Sequence, residues 1–277
     1  MIRSEKMSVR FWGVRGSIPT ASPDKMVYGG NTSCIEIRVP SGETFVIDGG
    51  TGALPLGNML MKEAGGRPLS VHFFLTHFHW DHIQGIPFFQ PLFSSNCTVT
   101  FYSMYPESVA HEFLRDQMSS PYFPTNFDDL PARRGFVNVR ELKTPIEEVQ
   151  ITSFQLNHPQ GCCGYRFECG TSVVVVATDH EHSVPYYDGL LIGAARGADL
   201  LVYDAQYTPE EYPLHRGWGH STWLEGTKVA KEAGVKRLVL FHHNPTHSDP
   251  TMGQILLDAR QEFPETFLAA EGMTIKC

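Results

Sequence analysis

The chain is short of positive charge. Its 22 lysines and arginines face 30 aspartates and glutamates, for a formal net charge of −8 at pH 7. The densest basic stretch, PARRGF (Pro131 to Phe136), has two arginines, too few for the phosphate-neutralising face that long nucleic acid requires. Long hydrophobic runs are missing too. No window approaches the roughly 20 apolar residues of a membrane span, and the opening residues MIRSEKMSVRFWG carry no apolar leader core. The expected location is the cytoplasm. None of the six cysteines (Cys34, Cys97, Cys162, Cys163, Cys169, Cys277) forms a C-x-x-C pair, which argues against a zinc ribbon. In a reducing compartment they are expected to be buried thiols. No short-period repeat is visible.

What the chain does have is length and apolar content. Its 277 residues, 42% of them hydrophobic, suffice for one large α/β domain spanning 1–277. Short strands are expected at Val9 to Gly13, Ser33 to Val39 and Thr44 to Asp48, the last two joined by a PSGE hairpin turn. A helix over Ala53 to Gly65 and an apolar strand over Leu69 to Leu75 follow. The second half repeats this character. Strands are expected at 148–156, 163–169, 172–178, 199–205 and 237–241, with helices at 190–198, 223–234 and 251–263. Between the halves, Met104 to Met118 has helical spacing. Ser119 to Phe136 is rich in proline and aromatics and fits neither period, so 104–136 is expected to be an inserted cap. The pattern predicts two sheets face to face with helices outside.

The most informative stretch is THFHWDH, directly behind the apolar strand. In extended chain His77 and His79 point to one side, and Asp81 and His82 sit where the chain must turn. Imidazole and carboxylate in this density suit zinc, manganese or iron and call for no soft ligand. Other strand ends supply partners: His158 in QLNHP, Asp179 in VVVVATDH, and His242 with His243 in LVLFHHNP. Seven such N and O donors suit two divalent ions roughly 3.5–4 Å apart. His243 competes for the last place; His242 is preferred because it comes first after the strand. His180, His182 and His247 are expected behind the ligands or around the rim, His72 packed in a strand, His111 and His215 at the surface.

With these motifs, and with FWGVRGSIPT, YGGNTSC and IDGGTG ahead of them, nearly the whole chain resembles the metallo-β-lactamase-fold hydrolases. It is most similar to the phosphodiesterase branch that includes RNase Z and cyclic-nucleotide phosphodiesterases. The resemblance implies a four-layer αββα sandwich. It implies His77, His79 and His158 on one ion, Asp81, His82 and His242 on the other, and Asp179 bridging both. Two divalent ions are expected, zinc first, manganese or iron as alternatives. Asp204 in LVYDAQY and His220 in GWGHSTW match the acid–histidine pair of RNase Z-like enzymes, although relatives usually have Glu where this chain has Asp. The imidazole would protonate the leaving oxygen while a hydroxide held between the ions attacks phosphorus. Asp81, His220 and Asp204 are thus the expected catalytic residues. Asp48 is expected as a hydrogen-bond acceptor behind the ligands, and Asn31, Tyr122 and Phe123 at the substrate.

The expected activity is hydrolysis of small nucleotide phosphodiesters, 3′,5′-cyclic ones foremost, by a homodimer that binds neither membrane nor long nucleic acid. The alternatives are an RNase Z-like tRNA 3′ endonuclease, which would need a basic arm, and a thioester or lactone hydrolase, which would not need Asp204 and His220. A zinc β-lactamase would require a cysteine where none falls. A flavin-linked diiron relative would carry Glu in place of His79. A non-catalytic metal-binding protein fits poorly with a complete ligand set.

Overall fold

The computed structural model describes residues 6–141 and 145–277; residues 1–5, on which part of the expectation about a leader rests, lie outside the described residues. One sheet takes β1 (Ser8–Gly13), β2 (Cys34–Arg38), β3 (Thr44–Ile47), β4 (Leu69–Phe74), β5 (Cys97–Ser103), β6 (Arg133–Asn138) and, from the end of the chain, β13 (Thr274–Lys276). The other takes β7 (Gln150–Leu156), β8 (Cys162–Cys169), β9 (Ser172–Ala177), β10 (Leu200–Asp204), β11 (Leu238–Phe241) and β12 (Thr266–Leu268). The strand orders are β13-β1-β2-β3-β4-β5-β6 and β12-β11-β10-β9-β8-β7. Each sheet begins with antiparallel pairs and continues parallel, β3 to β6 in one and β9 to β12 in the other.

Where both faces of a sheet are covered a strand reads as a near-unbroken apolar run, as in β3, β9, β10 and β11. Alternation assigns the faces. Phe74 points between the sheets, with Phe45, Tyr165, Phe167, Val174 and Val176. Phe73 points outward and meets Leu56 and Leu60 of α1 (Ala53–Ala64). On the far side Val175, Leu201 and Leu240 pack under α4 (Pro185–Ala195), α5 (Trp223–Ala233) and α6 (Asp249–Glu262). Each fully buried Phe or Val contributes about 1.5–3 kcal/mol, so this central layer fixes the sandwich. The result is the expected two-sheet architecture flanked by helices.

Several elements depart from the sequence reading. The expected cap over 104–136 is not one unit. It starts with α3 (Glu107–Gln117) but ends in β6, which pairs parallel with β5 from Thr98↔Arg133 to Ser103↔Asn138. β6 is an edge strand with no fully buried residue, so neither face of RRGFVN stands out. β5 was legible, since Cys97, Val99 and Phe101 are its buried alternate positions, but it was not assigned. β12 and β13 are three residues each, too short to display a period. α4 starts five residues before the expected helix at Leu190, because Pro185 occupies its first position.

Candidate metal centre

The strand ends place the chemistry. β4 leads into His77 and His79, and α2 (Trp80–Ile83) carries Asp81 and His82 on a single turn. β7, β9, β10 and β11 deliver His158, Asp179, Asp204 and His242 to the same edge. Donor atoms of His77, His79 and His158 lie within 4.8 Å of one another, as do those of His77, His82 and Asp179, and those of Asp81, His82 and His242. All seven expected ligands are therefore brought together.

Hydrogen bonds fix the direction in which each imidazole offers its lone pair. His82 donates from Nδ1 to Asp48 (2.7 Å), His158 from Nδ1 to the Gly219 carbonyl (2.8 Å), and His79 from Nε2 to Gln160 Oε1 (2.7 Å). The remaining nitrogens converge: His79 Nδ1 is 3.0 Å from His158 Nε2, and His82 Nε2 is 3.3 Å from His242 Nε2. Ring nitrogens this close, neutral or protonated, repel unless a shared proton or a metal cation lies between them. His77 Nε2 is buried with no hydrogen-bond partner, 3.8 Å from Asp179. Separations of 3.0–3.8 Å between donors match atoms around one ion with bonds of about 2 Å. The donor set thus fits divalent metal, with Asp179 shared: its carboxylate is 3.3 Å from His82, 3.5 Å from His242 and 3.8 Å from His158.

The electrostatics agree. Burial alone would lower His82 and His242, but Asp179 and Asp81 override it. His82 is held well above the usual imidazole range, and His242 is raised to about 9. The surplus of carboxylates draws in positive charge. His158 goes the other way, pushed by burial to about 4, so it is neutral and ready as a ligand. His243 points into the core, donates to the Ala269 carbonyl (2.8 Å) and is lowered by burial to about 3. Of the two neighbouring histidines, the structure places His242 among the donors.

Asp204 and His220 form a bonded pair, Nδ1 to Oδ2 at 2.8 Å, and the His220 ring stacks on His242 at 4.9 Å between centroids. Asp48 is fully buried and also accepts from the Thr76 backbone N–H (2.9 Å) and Thr76 Oγ1 (3.0 Å). Tyr122 and Phe123 line a cavity of about 750 Å³ that opens beside His77 and His79. Asn31 is placed elsewhere: its backbone and amide nitrogens both donate to Glu271 (2.7 and 2.9 Å), and it does not line this cavity. His180, expected behind the ligands or at the rim, is buried behind them; its backbone N–H donates to Asp204 (3.2 Å) and its ring bonds Asp188 (3.0 Å).

Sequence reading missed the supports. The Ser17 backbone N–H donates to Asp81 (2.7 Å), and Gln160 holds His79. Glu181 accepts from Tyr212 Oη and from the backbone N–H groups of Gly217 and Gly219, pinning the loop that leads to His220. A shared signal marks several of them. Among the described residues seven non-glycine positions have left-handed φ, and five belong to this site: Ser17 (64°), Asp48 (61°), Gln160 (62°), Asp179 (58°) and His242 (59°). Such backbone costs of order 1–3 kcal/mol each and persists where surrounding contacts enforce it.

A family model described as a beta-lactamase superfamily domain matches residues 45–243. The chain belongs to the beta-lactamase superfamily, whose sandwich and clustered His and Asp donors were described above. Within it, the chain is a metal-dependent hydrolase similar to proteins named ribonuclease Z. It is 27% identical to ribonuclease Z of Methanothermobacter thermautotrophicus over 318 aligned positions, covering 98% of this chain and 96% of that protein. Because 318 positions exceed the 277 residues here, that relative has stretches with no counterpart in this chain. In fold it is similar to the metallo-beta-lactamase fold protein YhfI from Bacillus subtilis (TM-score 0.72, 21% identity, 99% and 100% of the two chains). The short form of human tRNase Z gives a TM-score of 0.65 at 23% identity, over 97% and 98% of the chains. Among the described residues no helix is long and apolar enough to cross a membrane.

Proposed function

We propose that the chain is a phosphodiesterase with two divalent ions, zinc foremost, acting on RNA-type linkages whose leaving group is a nucleoside 3′-oxygen. The observation that carries this reading is the Asp204–His220 pair beside the ligand cluster. A thioester expels a thiolate that needs no such acid, whereas a nucleoside 3′-alkoxide is a poor leaving group until it is protonated. When bound, divalent ions draw charge off phosphate oxygens and make a water acidic enough to attack near neutral pH. His77, His79 and His158 would hold one ion, Asp81, His82 and His242 the other, and Asp179 both. Asp204 fixes the orientation of the His220 ring; Nε2, with no hydrogen-bond partner among the described residues, is then the atom that delivers the proton.

Relatives named ribonuclease Z support RNA over the 3′,5′-cyclic nucleotides expected from sequence. One observation keeps small nucleotides as a second reading: the cavity beside the centre is lined by no lysine or arginine, in a chain of net charge −8. Both share the same leaving group. The test is a substrate panel with zinc- or manganese-loaded protein: precursor tRNA, short RNA, cyclic mononucleotides, bis-p-nitrophenyl phosphate, thioesters and lactones. Diester turnover is expected, RNA exceeding cyclic nucleotides in kcat/KM. Turnover of thioesters or lactones without any diester would overturn it. The expected homodimer belongs to this proposal and is read by light scattering.

A further inference from the structure

The cavity beside the ligand cluster has a wall that the chemistry above leaves unused. One end is formed by His77 and His79. Outward from them the lining turns aromatic, with Trp80, Phe88, Phe113 and Tyr122 exposed by 75, 52, 37 and 79%. Phe113 stands edge-on to Phe78 (5.0 Å) and Tyr105 (5.4 Å), and Phe88 edge-on to Phe123 (5.6 Å), so these rings are braced from behind while parts of them stay open. Apart from the two histidines, Asp116 is the one Asp, Glu, Lys or Arg side chain of the lining, and Arg115 pairs with it at 3.1 Å. An amide also reaches the wall: Gln117 Nε2 is buried with no hydrogen-bond partner.

Each feature narrows the ligand. Aromatic faces in a lining without lysine or arginine favour a flat, neutral body over a further phosphate. An unpartnered N–H donor asks for an acceptor on that body. Contact with His77 and His79 places it next to the scissile group. At about 750 Å³ the cavity is within the range of small-ligand sites. We propose that this cavity is a nucleobase pocket that stacks one base flanking the scissile phosphate on Phe88 and Phe113, with Gln117 donating to a ring or carbonyl acceptor. The nucleic acid strand beyond that base leaves the cavity. This rests on the phosphodiesterase reading above and adds the specificity-determining residues to it.

The experiment is calorimetric binding to the zinc-loaded protein, with adenosine 5′-monophosphate, uridine 5′-monophosphate and ribose 5-phosphate as probes. The nucleotides are expected to bind roughly 5- to 150-fold more tightly than ribose 5-phosphate, the worth of one stacked base. Phe113→Ala and Phe88→Ala should each close most of that gap and leave ribose 5-phosphate affinity within twofold. Gln117→Leu should change the ratio between the two nucleotides. Equal binding of nucleotides and ribose 5-phosphate to wild type, or a gap that survives both alanine variants, overturns the pocket while phosphodiester turnover stands. A gap that survives while Phe88→Ala dissociates a dimer assigns this wall to a second copy of the chain. No binding of any phosphate probe, together with no diester turnover, overturns the activity itself.

Discussion

Gly219→Ala is the most demanding test of how the centre is held. Gly219 has φ +86°, its N–H donates to Glu181 (2.8 Å), and its carbonyl accepts from His158 Nδ1 (2.8 Å). A Cβ there would lie 2.2 Å from His158 Nδ1 and 2.4 Å from Pro159 Cδ, closer than atoms can approach. The left-handed backbone alone costs an alanine about 1–2 kcal/mol. The clash adds displacement of the His158 ring and loss of the bond that orients it. Losing an orienting partner of a metal ligand lowers metal affinity about 10- to 100-fold. Gly217 supplies the control. Its φ is +85°, yet a Cβ there meets nothing within 4 Å. Gly217→Ala should therefore show the backbone cost in thermal stability and keep its metal. Chelator competition followed by elemental analysis reads the affinity, and thermal denaturation of the metal-free proteins reads the strain. If Gly219→Ala holds metal as tightly as Gly217→Ala, the carbonyl of Gly219 does not orient His158 and the reasoning fails.

His220→Ala should lower turnover by roughly 10²–10⁴ with metal content intact, least for a diester with a good leaving group, and Asp204→Asn should lower it less. Equal losses on good and poor leaving groups would reassign His220 to substrate positioning. Asp48→Ala strips the acceptor from His82 Nδ1 and from the Thr76 backbone N–H. Each buried unpaired group costs about 1–3 kcal/mol, so both melting temperature and metal affinity should fall; unchanged values would show that water replaces the carboxylate. Metal loading near pH 7 should release protons, because His82 and His242 are held above that pH by Asp179 and Asp81. Titration calorimetry in buffers of different ionisation enthalpy measures this, and zero release would contradict the charge arrangement described.

How much of this could be read in advance depends on what a residue does for its neighbours. His77, His79, Asp81 and His82 were legible because strand period and a turn place them together within six positions. Asp179, Asp204 and His242 were legible because a polar residue ending an apolar run stands out. Asn31 was misjudged: nothing within YGGNTS indicates that Glu271, 240 residues away, takes its amide. The supports were silent for the same reason. Gln160 reaches His79 across 81 residues, a contact that exists only after the two sheets meet, and Glu181 reaches Gly219 across 38, a contact between the loops that follow two neighbouring strands. The edge strand β6 was hidden because none of its residues is fully buried, so neither face of RRGFVN stands out. Left-handed backbone at Asp48, Asp179 and His242 follows the same logic. In each case the chain leaves a strand and must turn a side chain toward the shared edge. The turn is enforced by ligands that arrive from other strands, so the strain is local but its cause is not. The residues that hold this centre together are therefore those least marked in their own sequence neighbourhood, and substitutions at Gly219 or Asp48 probe the site as directly as changes in the ligands do.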